Sequence, residues 1–228
     1  MADRFAQAAG LADTGLSGSE LSNAGRPEEG QPDRKVSDGE GGGSCFLAIP
    51  HAGRFAIRSE RDRSNAVRLS RLLEERGLEA FASDPAQDHI TGSAFVVNPA
   101  RTRLLMTHHA KLDRWLQLGG HSDGDCNPLV VALREAREES GLSEIRVISA
   151  DVFDLDIHEI PARKEDPAHF HFDIRYLLEA DDSQPLGLTH ESRDLKWVPL
   201  DELERYSNAP SVLVIRDKLT AFLEEAGV

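Results

Sequence analysis

The stretch Gly119–Leu142, GGHSDGDCNPLVVALREAREESGL, decides how the chain is read. Asn127 followed by Pro128 is an N-cap with proline at the first helical position. Gly141 stands where a left-handed C-terminal cap is wanted. The spacing predicts a helix of about 13 residues between them. At about 100° per residue, Leu129, Ala132, Leu133 and Ala136 share the core face. Glu135, Glu138 and Glu139 cluster on a second face, rotated by about 120°. Like charges at that spacing destabilise an isolated helix. A divalent cation removes the repulsion, and carboxylate oxygens are what Mg²⁺ prefers. Taken alone, REAREE also reads as a solvated helix face, with Arg134 pairing Glu138 one turn on.

Outward from this helix the texture is mixed. From about Ile90, SAFVVN and RLLMTHH flank the turn signal Asn98-Pro99-Ala100 and predict a hairpin. IRVISA, VFDLDIHEI, FHFDIRYLLEA and LKWVPL follow as strands, then helices over Leu200–Tyr206, opened by Asp201, and Ser211–Glu225. Strands with interspersed helices over about 140 residues predict an α+β fold, an α-β-α sandwich. Upstream, FLAIP at 46–50 and FAI at 55–57 suit edge strands. Ser64 is expected to cap a helix to Arg76, with Val67, Leu69, Leu72 and Leu73 inward and Gly77 closing it. Residues 1–44 hold nine of the 18 glycines and no sustained apolar period, so a disordered acidic tail is expected there. The expected organisation is this tail, an N-terminal extension with one helix over 45–87, and a main domain over 88–228.

Composition narrows the function. The 26 basic and 40 acidic residues give a net charge of −14, which argues against a nucleic-acid polymer as partner. A small phosphorylated substrate remains compatible, provided a metal ion bridges the like charges. No run approaches the roughly 18 apolar residues of a membrane span, so no membrane partner is expected. The first residues lack a basic start followed by an apolar core, and Cys45 and Cys126 form no CxxC, so a reducing cytoplasm is the expected compartment.

The 119–142 stretch resembles the Nudix box, Gx5Ex7REUxEExGU, where U is a bulky aliphatic residue. Gly120, Arg134, Glu135, Glu138, Glu139, Gly141 and Leu142 stand at the required spacing. Two positions depart from it: Cys126, beside Asp125, occupies the place of the first glutamate, and Ala136 replaces a larger aliphatic. The resemblance implies a Nudix fold, with a mixed β-sheet and a catalytic loop-helix-loop. It implies that Glu135, Glu138 and Glu139 bind Mg²⁺, with Mn²⁺ as a substitute, and that these ions hold a small-molecule diphosphate. It implies that Arg134 orients a box glutamate by a bidentate pair. Cys126 offers a soft sulfur that Mg²⁺ does not select, so Asp125 or another group is expected to take up its role. Gly119 and Gly120 let the loop turn sharply and approach substrate.

Outside the box, alternation places His169, His171, Asp173 and Arg175 on one face of FHFDIRYLL, opposite Phe170, Phe172, Ile174 and Tyr176. Asp154, Asp156 and His158 do the same on the preceding strand. If these strands lie close, their polar faces converge on the cavity and bring His171 and Asp173 to substrate; the alternative is a solvated outer face. His121, just after the Gly-Gly pair, is the best placed of the remaining histidines. Glu191 is the candidate late carboxylate, a general base or extra metal ligand, with Glu138 as the other candidate base. The expected activity is hydrolysis of a diphosphate linkage in a nucleoside diphosphate joined to another group. Rival readings are a prenyl diphosphate isomerase on the same fold, for which KLDRWLQLGGH (111–121) is the cue, and a ligand-binding domain without chemistry. A homodimer is compatible with the tail and the helix at 64–76, although nothing demands one.

Overall fold

The computed structural model describes residues 45–163 and 166–227. The tail expected over 1–44 lies outside the described residues. The two upstream apolar patches form a hairpin, β1 (Cys45–Ile49) with β2 (Gly53–Ile57). Helix α1 (Glu60–Arg76) follows, and Gly77 caps it as expected. It starts earlier than Ser64, because Ser59 accepts the Asp62 N–H and is the N-cap. Asp62 and Asn65 are buried on this helix, whereas Val67 is 64% exposed rather than inward. Charge pairing, described below, displaces the apolar period on this helix.

The main sheet has eight strands. Its spine is a parallel pair, β3 (His89–Val97) beside the later strand β9. Next come β4 (Arg103–His109), β5 (Arg114–Leu116) and β6 (Leu118–His121). Helix α2 (Pro128–Ser140) precedes β7 (Arg146–Val147), β8 (Asp154–Ile160), β9 (His169–Glu179) and β10 (Ser192–Pro199). IRVISA therefore gives a strand of just two residues. A 3-10 turn (Leu200–Arg205) leads to α3 (Pro210–Leu213) and α4 (Ile215–Ala226), so the last helix is broken in two. No helix of the described residues is long and apolar enough to cross a membrane.

The spine changes partners along its length. Near their C-terminal ends, β3 pairs with β4 at Val97–Leu104 and β9 pairs with β7. Near their N-terminal ends, β3 pairs with β6 over Thr91–Ala94 and β9 pairs with β8. The sheet thus splits and opens a cleft over the N-terminal half of the spine.

Alternation assigns the two faces. Ala94, Val96, Leu105, Tyr176 and Leu178 join the core shared with α1 and α2. Phe95, Val97, Leu104, Met106 and Leu177 join the core shared with α3 and α4. Helices on both faces make the α-β-α sandwich. Asn127 caps α2 by accepting from Leu129 and Val130, and Gly141 closes it at φ 71°. Helix α2 lies so close to β3 that a Cβ on Gly92 would stand 2.6 Å from the Pro128 carbonyl oxygen.

The polar faces of β8 and β9 converge on a buried ion cluster rather than on solvent. Arg175 donates to Asp173 at 2.7 Å, Asp154 at 3.1 Å, Asp156 at 3.2 Å and the Ser211 carbonyl at 2.6 Å. Lys218 of α4 pairs with Asp62 at 2.7 Å and Asp154 at 2.8 Å, and Arg61 reaches Asp154 and Asp156. Burial alone would lift Asp154, but Arg175, Lys218 and Arg61 hold it below the ordinary carboxylate range. Replacing Arg175 with Met leaves these carboxylates buried and under-neutralised. The expected loss is about 3–5 kcal/mol of unfolding free energy in urea denaturation followed by circular dichroism. Arg71→Ala, which breaks an exposed pair on α1, should leave the midpoint in place.

Candidate active site

A cleft of about 590 Å³ lies over the split in the sheet. Its walls bring together nearly all the residues singled out in the sequence. Glu135, Glu138 and Glu139 line it from α2, and Gly119, Gly120 and His121 from β6. His171 and Asp173 line it from β9, and Glu191 from the loop before β10. Arg134 does not line the cleft.

The three helix carboxylates differ in environment. Glu138 is exposed, Glu135 is half-buried, and Glu139 is buried. Glu135 accepts from Arg134 Nη2 at 2.8 Å, and the same nitrogen donates to the His121 carbonyl at 2.9 Å. Arg134 therefore spans helix and β6 through one nitrogen, instead of gripping a glutamate bidentately or pairing with Glu138. Glu139 accepts the Gly119 N–H at 2.9 Å and forms no ion pair among the described residues. Burial pushes its carboxyl from 4.5 up to about 8; the Gly119 hydrogen bond opposes this, and Glu135 and Glu191 add to it. Glu135 is raised by burial too, with Arg134 opposing. At Gly120 a Cβ would stand 2.6 Å from the Glu135 carboxylate, so glycine here makes room for that side chain.

The other candidates are held more firmly than their sequence positions imply. Asp173 accepts from Thr91 at 3.0 Å and Ser93 at 2.6 Å through Oδ1, and from Gln117 and Arg175 through Oδ2. These bonds make it a fixed part of the cleft floor. Cys126 does not line the cleft; its thiol reaches the Gly124 carbonyl at 3.6 Å. Asp125 is turned to the Asn127 N–H, while Asp123 lines the cleft. Trp197 packs against the core.

Other residues at the cleft had no readable signal. Lys111 is the one lysine or arginine among the described residues that line it, and it sits in the β4–β5 turn. Gln117 carries the Asp173 contact. His89, the first residue of β3, lies beside His171 across the parallel pair. Burial holds His171 down to about 2, and the neighbouring histidines act in the same direction.

Hard carboxylate oxygens on one helix face, with a further carboxylate on the opposing loop, suit Mg²⁺ or Mn²⁺. A family model described as NUDIX domain matches residues 88–218. The chain belongs to the Nudix family of hydrolases. A protein of Lactococcus lactis subsp. cremoris (strain MG1363), named "Probable DHNTP pyrophosphohydrolase", is 26% identical over 130 residues, 56% of this chain and 76% of that protein. A C. elegans Ap4A hydrolase in a binary complex is 17% identical, with a TM-score of 0.48 over 61% of this chain and 98% of that one. A NUDIX-family hydrolase from Clostridium perfringens is 24% identical, with a TM-score of 0.44 over 59% and 97%.

Glu139 has a testable signature without any substrate. Its folded carboxyl holds a proton up to about pH 8, whereas an unfolded glutamate releases it near 4.5. The folded state binds the proton more tightly, so Glu139 costs the metal-free fold stability as pH rises through that interval. Glu139→Gln keeps an acceptor for the Gly119 N–H and removes the charge. In EDTA, the melting temperature of the variant minus that of the parent should grow between pH 5 and pH 8.5, by an amount worth a few kcal/mol. A constant difference would refute the assignment.

Proposed function

We propose that the protein is a Mg²⁺-dependent hydrolase, active also with Mn²⁺, that cleaves the diphosphate linkage of a nucleoside diphosphate joined to another group. The observation that carries this reading is the buried carboxylate of Glu139, without an ion-pair partner among the described residues, set beside Glu135 and Glu138 in a cleft that Glu191 also lines. A bound cation would favour its charged form over the protonated one. The sequence relative named as a pyrophosphohydrolase supports the reaction class.

Glu135, Glu138 and Glu139 would hold the metal. When bound, the metal neutralises phosphate oxygens, polarises phosphorus and makes phosphate an acceptable leaving group. Arg134 keeps Glu135 aimed into the cleft and ties it to the strand that carries Gly120 and His121. Gly119, Gly120 and His121 form the edge along which the diphosphate lies, and His171 walls its end. Asp173 acts by fixing that floor through Thr91, Ser93 and Gln117. Glu191 or Glu138 accepts the proton of the attacking water. The expected setting is the cytoplasm.

A panel of dinucleotides, nucleotide sugars and nucleoside triphosphates, assayed with and without Mg²⁺, tests this directly. Turnover should require the metal and fall at least about 100-fold in Glu139→Gln; metal-independent turnover, or full activity in the variant, would overturn the reading. Gly120→Ala separates site from fold. Its Cβ displaces the movable end of Glu135, so the melting temperature should hold while the Mg²⁺ concentration for half-maximal rate rises about 10-fold or more.

A further inference from the structure

Five of the nine histidines gather in one cluster, and three of these, His121, His158 and His171, line the cleft. His89 opens β3, His169 and His171 begin β9, and the β8–β9 register sets His158 opposite His171. His121 ends β6, its ring centroid 5.2 Å from those of His89 and His171. Three of the five, His89, His169 and His171, offer nitrogen atoms that all lie within 4.8 Å of one another. Neither His89 nor His169 lines the cleft.

The hydrogen bonds around these rings select one tautomer. His89 Nδ1 lies 2.8 Å from the Gln87 carbonyl, which can only accept, so Nδ1 carries the proton. Its Nε2 is then a lone pair, buried and without a hydrogen-bond partner among the described residues. His89 is 2% exposed, so water does not satisfy that nitrogen. His169 repeats the arrangement with the Pro167 carbonyl at 3.1 Å. A carbonyl on one ring nitrogen and a free lone pair on the other is the second-shell pattern of a metal-binding imidazole.

We propose that His89, His169 and His171 form a second metal site, for a borderline-soft divalent ion of the Zn²⁺ class. Imidazole nitrogen selects Zn²⁺, Co²⁺ or Ni²⁺ over Mg²⁺, so this site and the carboxylates take different ions. A Zn–N bond of about 2.1 Å sets tetrahedral ligands about 3.4 Å apart. The three nitrogens, all within 4.8 Å of one another, approach that spacing. Three nitrogens leave a fourth position for water or a substrate oxygen. The ion would also clamp the start of β3 to the start of β9, the two strands that make the cleft floor. This inference does not depend on the proposed reaction.

The test is calorimetric titration of the tag-free, full-length chain with ZnCl₂ in excess MgCl₂, which occupies the carboxylates. One Zn²⁺ per chain should bind, and Co²⁺ in its place should give the intense visible bands of a tetrahedral nitrogen site. His89→Gln with His169→Gln should weaken Zn²⁺ binding by at least about 100-fold, and Glu139→Gln should leave it intact. His169→Gln alone, at the first residue of its strand, guards against misfolding of the double variant, judged by circular dichroism. No stoichiometric binding, or binding lost in Glu139→Gln and kept in folded His169→Gln, would overturn the proposal.

Discussion

The buried guanidinium of Arg175 organises the molecule. It sits 2% exposed between two strands, where an unpaired charge would cost several kcal/mol. Three carboxylates, from β8 and β9, offset that cost, and Lys218 and Arg61 answer the excess negative charge those carboxylates introduce. The added partners come from three further elements. Arg61 and Asp62 bring α1, Lys218 brings α4, and the Ser211 carbonyl brings α3. The N-terminal extension and the C-terminal helices therefore meet the sheet through one electrostatic requirement. Apolar packing adds to this, with Phe55 and Phe81 wholly buried, and Tyr176 donating to the Ala52 carbonyl at 2.8 Å.

The same cluster reaches the cleft. Asp173 spends one oxygen on Arg175 and Gln117 and the other on Thr91 and Ser93. Ser93 stands opposite Gly119 in the β3–β6 register, and the Gly119 N–H holds Glu139. A chain of hydrogen bonds and register contacts thus runs from the salt bridges to the carboxylates of α2. Its members are fixed before any ion or substrate arrives. Catalytic sites that rely on placed charge need such supports, because a loosely held carboxylate would relax toward solvent or toward a neighbouring cation.

How much of this was legible in the sequence depends on the range of the forces involved. The α2 helix, its Asn127 and Pro128 start and its Gly141 end follow from local backbone chemistry, which a sequence carries explicitly. So does the alternation on β9, because a strand's two faces are set by its own pleat. The buried face of α1 is hidden for the opposite reason: Asp62 looks like a solvated residue until Lys218, 156 positions away, is placed beside it. Asp173 lies on the face that alternation assigns it and lines the cleft, while the partners that fix it, on β3, between β5 and β6 and within β9, come together only in the fold. Lys111 and Gln117 join the cleft through tertiary placement of a turn and a short connection, with no periodicity to mark them. Cys126 occupies a box position, yet the loop turns it to the Gly124 carbonyl, so spacing alone did not tell which side chain of that loop enters the cleft.

The cleft and its surroundings carry donors of different chemistry, and topology decides which element supplies each. Helix α2 presents oxygen because glutamates three and four residues apart share a helix face. The strand starts present nitrogen because residues two apart on β9, His169 and His171, share a face, and His171 meets His89 across a parallel register. A helix face tolerates grouped carboxylates when its end is open to water, as Glu138 is. Grouped imidazoles tolerate burial better than grouped carboxylates, since a neutral ring can donate its Nδ1–H to a backbone carbonyl, as His89 does to Gln87. The electrostatic cost of the site is therefore concentrated in Glu139, the one box carboxylate that is buried and without an ion-pair partner among the described residues. That is where a bound cation has most to gain.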